Sequence, residues 1–261
     1  MSAVPTLAHW LALREPADAV ARSAALTRAA VDALPRHRSP RILDLGSGTG
    51  SNARYLAPYL PAGSQWLLVD KDPSVLAAAP YETRELDLGA RDAPEIFVGR
   101  DLVTASALLD LVSTPYLAWL ADRCRAHRAV ALFALTYTGR SSCTPVEPED
   151  GMICALLNRH QQQSDKGFGP AAGPDAVARA EEALAAAGYR VRREPSDWHL
   201  EPAAKELQRL LIQGWADAAL EMAPFERDAI ADWLARRVTH VEAGRSRIMV
   251  CHEDLAAFPL G

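Results

Sequence analysis

The sequence predicts an α/β protein whose core is an open, mostly parallel β-sheet with helices on both faces. The first observation is the apolar run Ile42, Leu43 and Leu45, which three alternating glycines interrupt before an amphipathic stretch begins. Strand, glycine turn and helix in that order open a nucleotide-binding βαβ unit. Predicted strands and helices also alternate as far as residue 137, which favours right-handed crossovers in a parallel sheet. Polar residues follow successive strands, at the edge where such sheets bind ligands.

The overall composition is that of a soluble globular protein with room for a large core. The chain has 261 residues, of which 49% are hydrophobic and 23% charged, and its formal net charge is -5. No block of lysine or arginine stands out, so nucleic acid is not an expected partner. The four cysteines lack the spacing of a zinc site, and no metal is expected. Without a signal segment or a long apolar run, we expect a cytoplasmic protein that does not bind membranes.

The glycine turn indicates what kind of ligand it binds. Gly46, Gly48 and Gly50 allow a tight turn and a close approach of a ligand to the backbone. A dinucleotide fingerprint would place the third glycine one residue later, where Ser51 stands. Asp44 precedes the turn and would repel a pyrophosphate, but its charge suits a ligand that carries an ammonium and a sulfonium, as S-adenosylmethionine (SAM) does.

The run 43–50, Leu-Asp-Leu-Gly-Ser-Gly-Thr-Gly, resembles the first motif of the class I SAM-dependent methyltransferases. The resemblance covers about 39–200 and 245–255. It implies a Rossmann-like, seven-stranded sheet with an antiparallel last strand, SAM as the cofactor, and an enzyme that transfers methyl groups. The cofactor contacts that we expect around the first motif are Asp44, Gly46, Ser47, Gly48 and Asn52.

Two later acidic residues extend the predicted cofactor site. Asp70 ends the second strand, and its carboxylate can accept two hydrogen bonds from a ribose diol, although a solvated aspartate opening a turn would look the same. The resemblance places Asp70 at the ribose hydroxyls and Lys71 beside the adenine. It places Asp87, after the third strand, at the adenine amino group, with the backbone N–H of Leu88 next to it.

The segment after the fourth predicted strand, 101–105, bears on the reaction. The resemblance puts Ser106 next to the methionine portion of SAM. The segment lacks the Asn/Asp-Pro-Pro-aromatic motif of methyltransferases that modify amino groups of nucleic-acid bases, so such bases are not expected as substrates. Asp110 has two interpretations, a catalytic group that faces the active site and a helix-capping or surface residue.

The region 138–173 is longer than an ordinary connection and contains one predicted helix, 151–163. It is interpreted either as a surface loop or as a substrate-recognition segment at the ligand edge. In the second interpretation His160 is a general base and Lys166 meets an anionic group. Asn158 and Asp165 join Lys166 as predicted substrate-binding residues.

Helical segments outside the sheet complete the predicted domain organisation. Helices at 6–13 and 16–34 form an N-terminal cap, 1–38, before the SAM-binding domain, 39–261. The cap is either a packing extension or a cover over the substrate, in which case Trp10 is a pocket wall. Helices at 203–221 and 225–242 form an insertion, 203–243, whose apolar stripes favour a core role. We expect the insertion to pack with the cap as a lid.

The remaining elements follow from local patterns. Proline in the first turn marks helices at 73–79, 115–126 and 174–187, and Gly188 ends the last of them. Strands are predicted at 65–70, 82–86, 129–137, 189–195 and 247–251, of which 65–70, 129–137 and 247–251 are mainly apolar.

The leading functional hypothesis is a methyltransferase that acts on an oxygen, nitrogen or carbon nucleophile of a small organic molecule. The alternatives are an RNA or protein methyltransferase, a non-catalytic SAM-binding module and, more remotely, a nicotinamide dehydrogenase. The sequence leaves open the substrate, the atom methylated, the need for a general base and the oligomeric state.

Overall fold

The computed structural model describes residues 6–36, 38–77 and 79–260. Its described strands form one sheet in the order β3-β2-β1-β4-β5-β8-β6, with β7 also paired to β8. Strands β1 to β5 pair in parallel, whereas β8 runs antiparallel to β5, β6 and β7. The strands are β1 Arg41–Leu45, β2 Gln65–Asp70, β3 Glu82–Glu85, β4 Leu102–Ser106, β5 Val130–Thr144, β6 Tyr189–Pro195, β7 Trp198–Leu200 and β8 Arg247–Pro259.

Helices cover both faces of the sheet, as predicted. One apolar cluster joins the sheet to α5 and α7, and another joins its opposite face to α2 and α3. The α-helices are α1 Leu7–Ala21, α2 Ala24–Asp32, α3 Ser51–Leu56, α4 Pro73–Leu76, α5 Thr114–His127, α6 Asp150–Gln163, α7 Ala176–Ala186, α8 Lys205–Met222 and α9 Arg227–Glu242. None of the described helices is long and apolar enough to cross a membrane.

The first strand shows why its sequence is apolar without alternation. Ile42 belongs to the cluster with α2 and α3, whereas its neighbour Leu43 belongs to the cluster with α5 and α7. Both side chains are fully buried. A central parallel strand covered on both faces requires apolar residues at every position, and this strand places the glycine turn at the carboxyl edge of the sheet.

The last part of the sheet differs from the prediction. Strand β5 continues to Thr144 and β8 to Pro259, beyond the predicted ends at 137 and 251. The short strand β7 was not predicted and adds one strand to the seven that were. The pairing of β5 with β8 shifts register twice, and Leu135 and Gly139 have positive φ values of 54° and 80°. These bulges bend β5, so that its polar second half can continue beside β8 although its sequence lacks a strand pattern.

The N-terminal helices end at different residues from those predicted. Helix α1 continues through Pro16, and the break comes instead at Arg22 and Ser23. The hydroxyl of Ser23 then accepts the N–H of Leu26 at 3.0 Å and caps α2. Trp10 of α1 packs against an apolar cluster that includes residues of α8 and α9, the insertion between β7 and β8.

Candidate functional site

The glycine turn after β1 holds the aspartate at the end of β2. Gly46, Gly48 and Gly50 all have positive φ, between 52° and 82°. This conformation turns the N–H of Gly48 toward Asp70, whose Oδ2 accepts it at 2.8 Å. The other carboxylate oxygen accepts the N–H of Asp72 at 3.1 Å. The Asp70 carboxylate is therefore fixed beside the turn by two backbone donors.

A cavity of about 240 Å³, which we call the turn cavity, lies at this carboxyl edge. It brings together five of the predicted cofactor residues from the glycine turn and the ends of β2 and β3. Its lining residues are Gly46, Asp70, Lys71, Leu86, Asp87, Leu88, Ala107, Leu108, Leu111, Lys166 and Phe168. A face of this composition, with two carboxylates and two lysines around apolar side chains, suits a flat polar ligand.

The loop after α6 covers one side of the turn cavity. A Cβ at Gly89 would clash with the carbonyl oxygen of Gly167, so this approach requires glycine at position 89. Oδ1 of Asp165 accepts the N–H groups of Gly167 and Gly169 at 2.7 and 2.9 Å. Asp165 therefore shapes this loop and lines neither of the cavities at the carboxyl edge, and its role in substrate binding stays a prediction.

A second cavity of about 330 Å³, the aromatic cavity, adjoins the first through the shared residues Ala107, Leu111 and Lys166. It contains the predicted residues Trp10, His160, Lys166 and Asp110, which come from α1, α6, the loop after α6 and the segment after β4. The lining residues are Trp10, Arg14, Ala107, Asp110, Leu111, Leu135, Tyr137, Leu157, His160, Gln161, Ser164, Lys166, Ala171, Trp198, Leu211, Trp215, Val250 and His252.

Asp110 lies on the wall of the aromatic cavity and not on an exposed helix surface. Its side chain is buried, and Gln161 Nε2 donates to its Oδ2 at 2.6 Å. Oδ1 is buried and has no hydrogen-bond partner within the described ranges. Burial raises the pKa of Asp110 to about 6, against the opposing effects of nearby backbone N–H groups, Arg14 and Gln161. A carboxylate with this pKa is ionised at neutral pH and can still accept a proton from a bound ligand.

His160 and Asn158 lie on the same helix but have different surroundings. His160 lines the aromatic cavity, and its Nε2 lies 2.9 Å from Oε2 of Glu221 on α8. Asn158 accepts the hydroxyl of Tyr137 at 3.0 Å and donates to the carbonyl of Gly139 at 2.8 Å. Asn158 is not a lining residue and its amide is engaged on both sides, so it positions Tyr137; its role in substrate binding stays a prediction.

The remaining predicted cofactor residues lie on the other side of the glycine turn. Asn52 and Ser106 line a third cavity between α1 and α3, and Ser47 is held by the carbonyl of Val69 through its N–H and hydroxyl. Asp44 is fully buried beneath the turn, where Asn52 Nδ2 donates to it at 2.6 Å. Burial raises the pKa of Asp44 to about 7. Asp44 and Ser47 thus support the turn and do not line a cavity.

A buried arginine connects this network to the N-terminal helices. Arg22 Nη1 donates to Asn52 Oδ1 at 2.8 Å, and its Nε lies 3.5 Å from Oδ2 of the fully buried Asp254 on β8. Asp254 also accepts the N–H groups of Ser23 and Leu135, both at 2.9 Å. The junction between α1 and α2 is therefore tied to the sheet beside the glycine turn.

Several residues of the aromatic cavity were not predicted. Tyr137 and His252 are register partners in β5 and β8, with ring centroids 6.2 Å apart, and Trp198 lies 5.2 Å from the His252 ring. Burial lowers the pKa of His252 to about 3, so its imidazole is neutral at pH 7. Arg14 stacks over Trp198 at 4.9 Å. The sequence marks these residues only as aromatic or histidine side chains within predominantly apolar strands. This pattern is the same for a residue in a cavity wall and for a residue in the core, so it could not identify them.

No protein-family model matches the chain, and the search of curated proteins found no significant match. Solved structures do resemble it. A cyclopropane-fatty-acyl-phospholipid synthase-like protein from Lactobacillus casei superposes with a TM-score of 0.55 at 16% identity, covering 99% of this chain and 96% of that one. A cyclopropane synthase from Mycobacterium tuberculosis gives 0.46 at 13% identity, covering 89% and 82% of the two chains.

A phosphoethanolamine N-methyltransferase from Haemonchus contortus, solved with S-adenosylhomocysteine, gives a TM-score of 0.44 at 16% identity and covers 99% of this chain. This chain spans 61% of the length of that structure. Sheet order, the antiparallel strand β8 and the glycine turn agree with the fold that the first motif implies. The chain has the Rossmann-like fold of the class I SAM-dependent methyltransferases.

Proposed function

We propose that the chain is a SAM-dependent methyltransferase that acts on a small organic molecule. The observation that carries this proposal is the junction of two cavities at the carboxyl edge of the sheet. The turn cavity contains Asp70, which the glycine turn positions, and it meets the aromatic cavity at Ala107 and Leu111. A cofactor bound in the first cavity would therefore present its reactive end to a substrate bound in the second.

The residues of the turn cavity fit the nucleoside part of SAM. Asp70 offers a fixed carboxylate for a ribose diol, and Asp87 and the backbone of Leu88 border the position expected for the adenine. Beneath the turn, Asp44 has a buried oxygen, Oδ2, without a partner in the described part of the chain, which favours a nearby cationic group. When bound, SAM supplies a methyl group on a positively charged sulfur, which makes that methyl electrophilic.

The chain's own residues would supply orientation, proton transfer and exclusion of water. Asp110 is the better placed proton acceptor, because it is buried and keeps one unpartnered oxygen. His160 is a second candidate, although its imidazole already interacts with Glu221. Trp10, on α1, and Trp215, on α8, line the aromatic cavity and would help to exclude water from it.

The N-terminal helices and the insertion would act together as a lid. His9 of α1 interacts with Glu206 of α8 at 2.8 Å, and both helices contribute to the cavity wall. A cavity of about 330 Å³ is at the small end of the range for organic ligands, which favours a free small molecule over a polymer. The proposed location is the cytoplasm, and the acidic net charge argues against nucleic acid as substrate.

Calorimetric titration of the whole chain with SAM, S-adenosylhomocysteine and NADH tests the cofactor assignment. We expect SAM and S-adenosylhomocysteine to bind in the micromolar range, and Asp70→Ala to abolish this binding. Asp92→Ala, which changes an exposed aspartate outside the turn cavity, should leave it intact. A folded chain that binds neither SAM nor S-adenosylhomocysteine would overturn the proposal, and binding of NADH alone would make the protein a dehydrogenase.

A further inference from the structure

The charge pattern of the aromatic cavity indicates the chemistry of its ligand. Among the described lining residues Asp110 is the only acidic one, and it is buried. The nearest strong cation, Arg14, is already paired with Asp18, to which it donates hydrogen bonds of 2.9 and 3.2 Å. Lys166 is exposed at the boundary between the two cavities. The charge of Asp110 therefore has no dedicated cation within the described part of the chain.

The hydrogen-bonding capacity around Asp110 is also asymmetric. Gln161 Nε2 donates a hydrogen bond to Asp110 Oδ2, and this bond orients the Gln161 amide. Asp110 Oδ1 and Gln161 Oε1 are then both buried acceptors without donors among the described residues. A ligand that satisfies both must bring at least two hydrogens on polar atoms, and leaving either acceptor unpaired is costly. An ammonium group provides these hydrogens, whereas a hydroxyl provides one.

The other walls are suited to an organic cation. Trp10, Tyr137, Trp198 and Trp215 line the same cavity. Aromatic ring faces attract cations, and the Arg14 guanidinium already occupies such a position over Trp198. The aliphatic lining residues, which include Leu111 and Leu211, favour an apolar body attached to the cationic group.

We infer that the substrate of this site is a primary or secondary amine with an apolar body, bound as its ammonium form by Asp110 and Gln161, and that nitrogen is the atom methylated. This inference rests on the proposed methyltransferase function. An ammonium nitrogen has no free electron pair, so it must lose one proton before it can act as a nucleophile. Asp110 Oδ1 accepts that proton and is protonated in the process.

Matched pairs of ligands that differ only in the polar group test the inference. The probes are 2-phenylethylamine with 2-phenylethanol, and tryptamine with tryptophol, each titrated calorimetrically into the chain saturated with S-adenosylhomocysteine. Each amine should bind about tenfold to a hundredfold more tightly than its alcohol, as expected for a charged hydrogen bond in a buried site. The same assay run with SAM should give N-methylated amine and no O-methylated alcohol.

Two variants locate the effect at this carboxylate. Asp110→Asn should remove the preference for amines while S-adenosylhomocysteine still binds. Gln161→Met, which keeps the carboxylate, should reduce the preference and serves if Asp110→Asn does not fold. The matched control is Asp217→Asn, because Asp217 accepts Gln213 Nε2 at 2.9 Å in the same kind of pair on the exposed surface of α8; it should leave the preference unchanged.

The outcomes separate this inference from the proposed function. If S-adenosylhomocysteine binds but the alcohols bind as tightly as the amines, or no amine of the panel binds at millimolar concentration, the amine assignment is wrong and the cofactor site stands. A preference for amines that survives both Asp110→Asn and Gln161→Met would also overturn it. If S-adenosylhomocysteine does not bind, the proposed function itself fails.

Discussion

Gly48 and Asp70 are joined by a 2.8 Å hydrogen bond from the backbone N–H of the glycine to Oδ2 of the aspartate. The bond links the turn after β1 to the end of β2. The backbone of the turn therefore fixes the position of the carboxylate that is predicted to bind the ribose of the cofactor. Gly48 has a φ of 52°, and a Cβ at this position would lie 2.9 Å from Leu11 Cδ1 of α1. The turn is thus restricted both by its own conformation and by the helix above it.

Replacing Gly48 with alanine should weaken SAM binding. The left-handed conformation costs a residue with a side chain about 1–2 kcal/mol, and the contact with Leu11 would displace the turn from Asp70. Calorimetric titration with SAM and urea unfolding measure the two effects separately.

Gly244→Ala is the matched control for this change. Gly244 has a φ of 66° and nothing within 4 Å of an ideal Cβ, so it should show the stability cost without the loss of SAM affinity. Adding Leu11→Ala to Gly48→Ala should restore part of the affinity. Equal SAM affinities for wild type and Gly48→Ala would contradict the role given to this turn.

Arg237 anchors α9 to the segment that precedes α6. The side chain is fully buried and donates to Asp150 and to the carbonyl of Pro145, and Trp233 Nε1 donates to the same carboxylate at 2.8 Å. Arg237→Met leaves Asp150 without its cation, and we expect a loss of about 3–5 kcal/mol in the free energy of unfolding.

The neighbouring Arg236 provides a control of the same residue type. It pairs with Glu147 and Glu149 but its side chain is 41% exposed, so Arg236→Met should cost much less stability than Arg237→Met. Urea unfolding of both variants measures the difference. If both variants lost a similar amount of unfolding free energy, burial would not explain the stability that these ion pairs provide.

Methyl transfer should depend on pH through Asp110. Its pKa, raised to about 6 by burial, makes the carboxylate a proton acceptor above that pH and a neutral acid below it. The other titratable and charged groups among the described lining residues are Arg14, Tyr137, His160, Lys166 and His252. We expect turnover of an amine to fall as the pH drops through about 6.

Asp110→Asn should lower turnover and abolish the fall in turnover at low pH, which is the acidic limb of the pH profile. Asp217→Asn should retain the wild-type profile, since Asp217 lies on the exposed surface of α8. An unchanged acidic limb in Asp110→Asn would assign the titration to another group, with His160 the first to examine.

His252 should make the folded state sensitive to acid. Burial lowers its pKa from an ordinary 6.5 to about 3, so the unfolded chain binds a proton at a pH where the folded chain does not. The neutral His252 makes its full contribution to the free energy of unfolding above pH 6.5. This contribution is lost as the pH falls toward 3, by at most about 1.4 kcal/mol per pH unit. Thermal unfolding between pH 7 and 4 should show a smaller decline for His252→Gln than for wild type. His199→Gln, at an exposed position on β7, should decline like wild type.

Local patterns in the sequence predict the cofactor side of the site, and the structure brings five of those residues to one cavity. The glycine turn, Asp70 and Asp87 each follow a strand, and parallel strands bring their carboxyl ends to one edge whatever lies between them. The structure also brings Trp10, Asp110, His160 and Lys166 to one cavity, and their roles remain predictions.

Long-range pairing explains what the sequence did not predict. Tyr137 and His252 meet because β8 pairs with a bent part of β5, and neither the bend nor the register has a local signature. Asn158 and Asp165 are residue types that often bind ligands. Polar side chains in an irregular region also form hydrogen bonds with nearby backbone groups, and the sequence does not distinguish the two roles. Both form such bonds here, at Gly139 and at the loop after α6.

The position of β8 between β5 and β6 has a consequence for biosynthesis. A ribosome delivers β1 to β6 before β8, so β6 cannot join the sheet until its partner strand, residues 247–259, has emerged. His252 and Asp254 arrive in that same segment, and with them one wall of the aromatic cavity and the anchor of Arg22. The aromatic cavity is therefore completed only after translation of β8, and chains shortened before residue 247 should lack this wall of it.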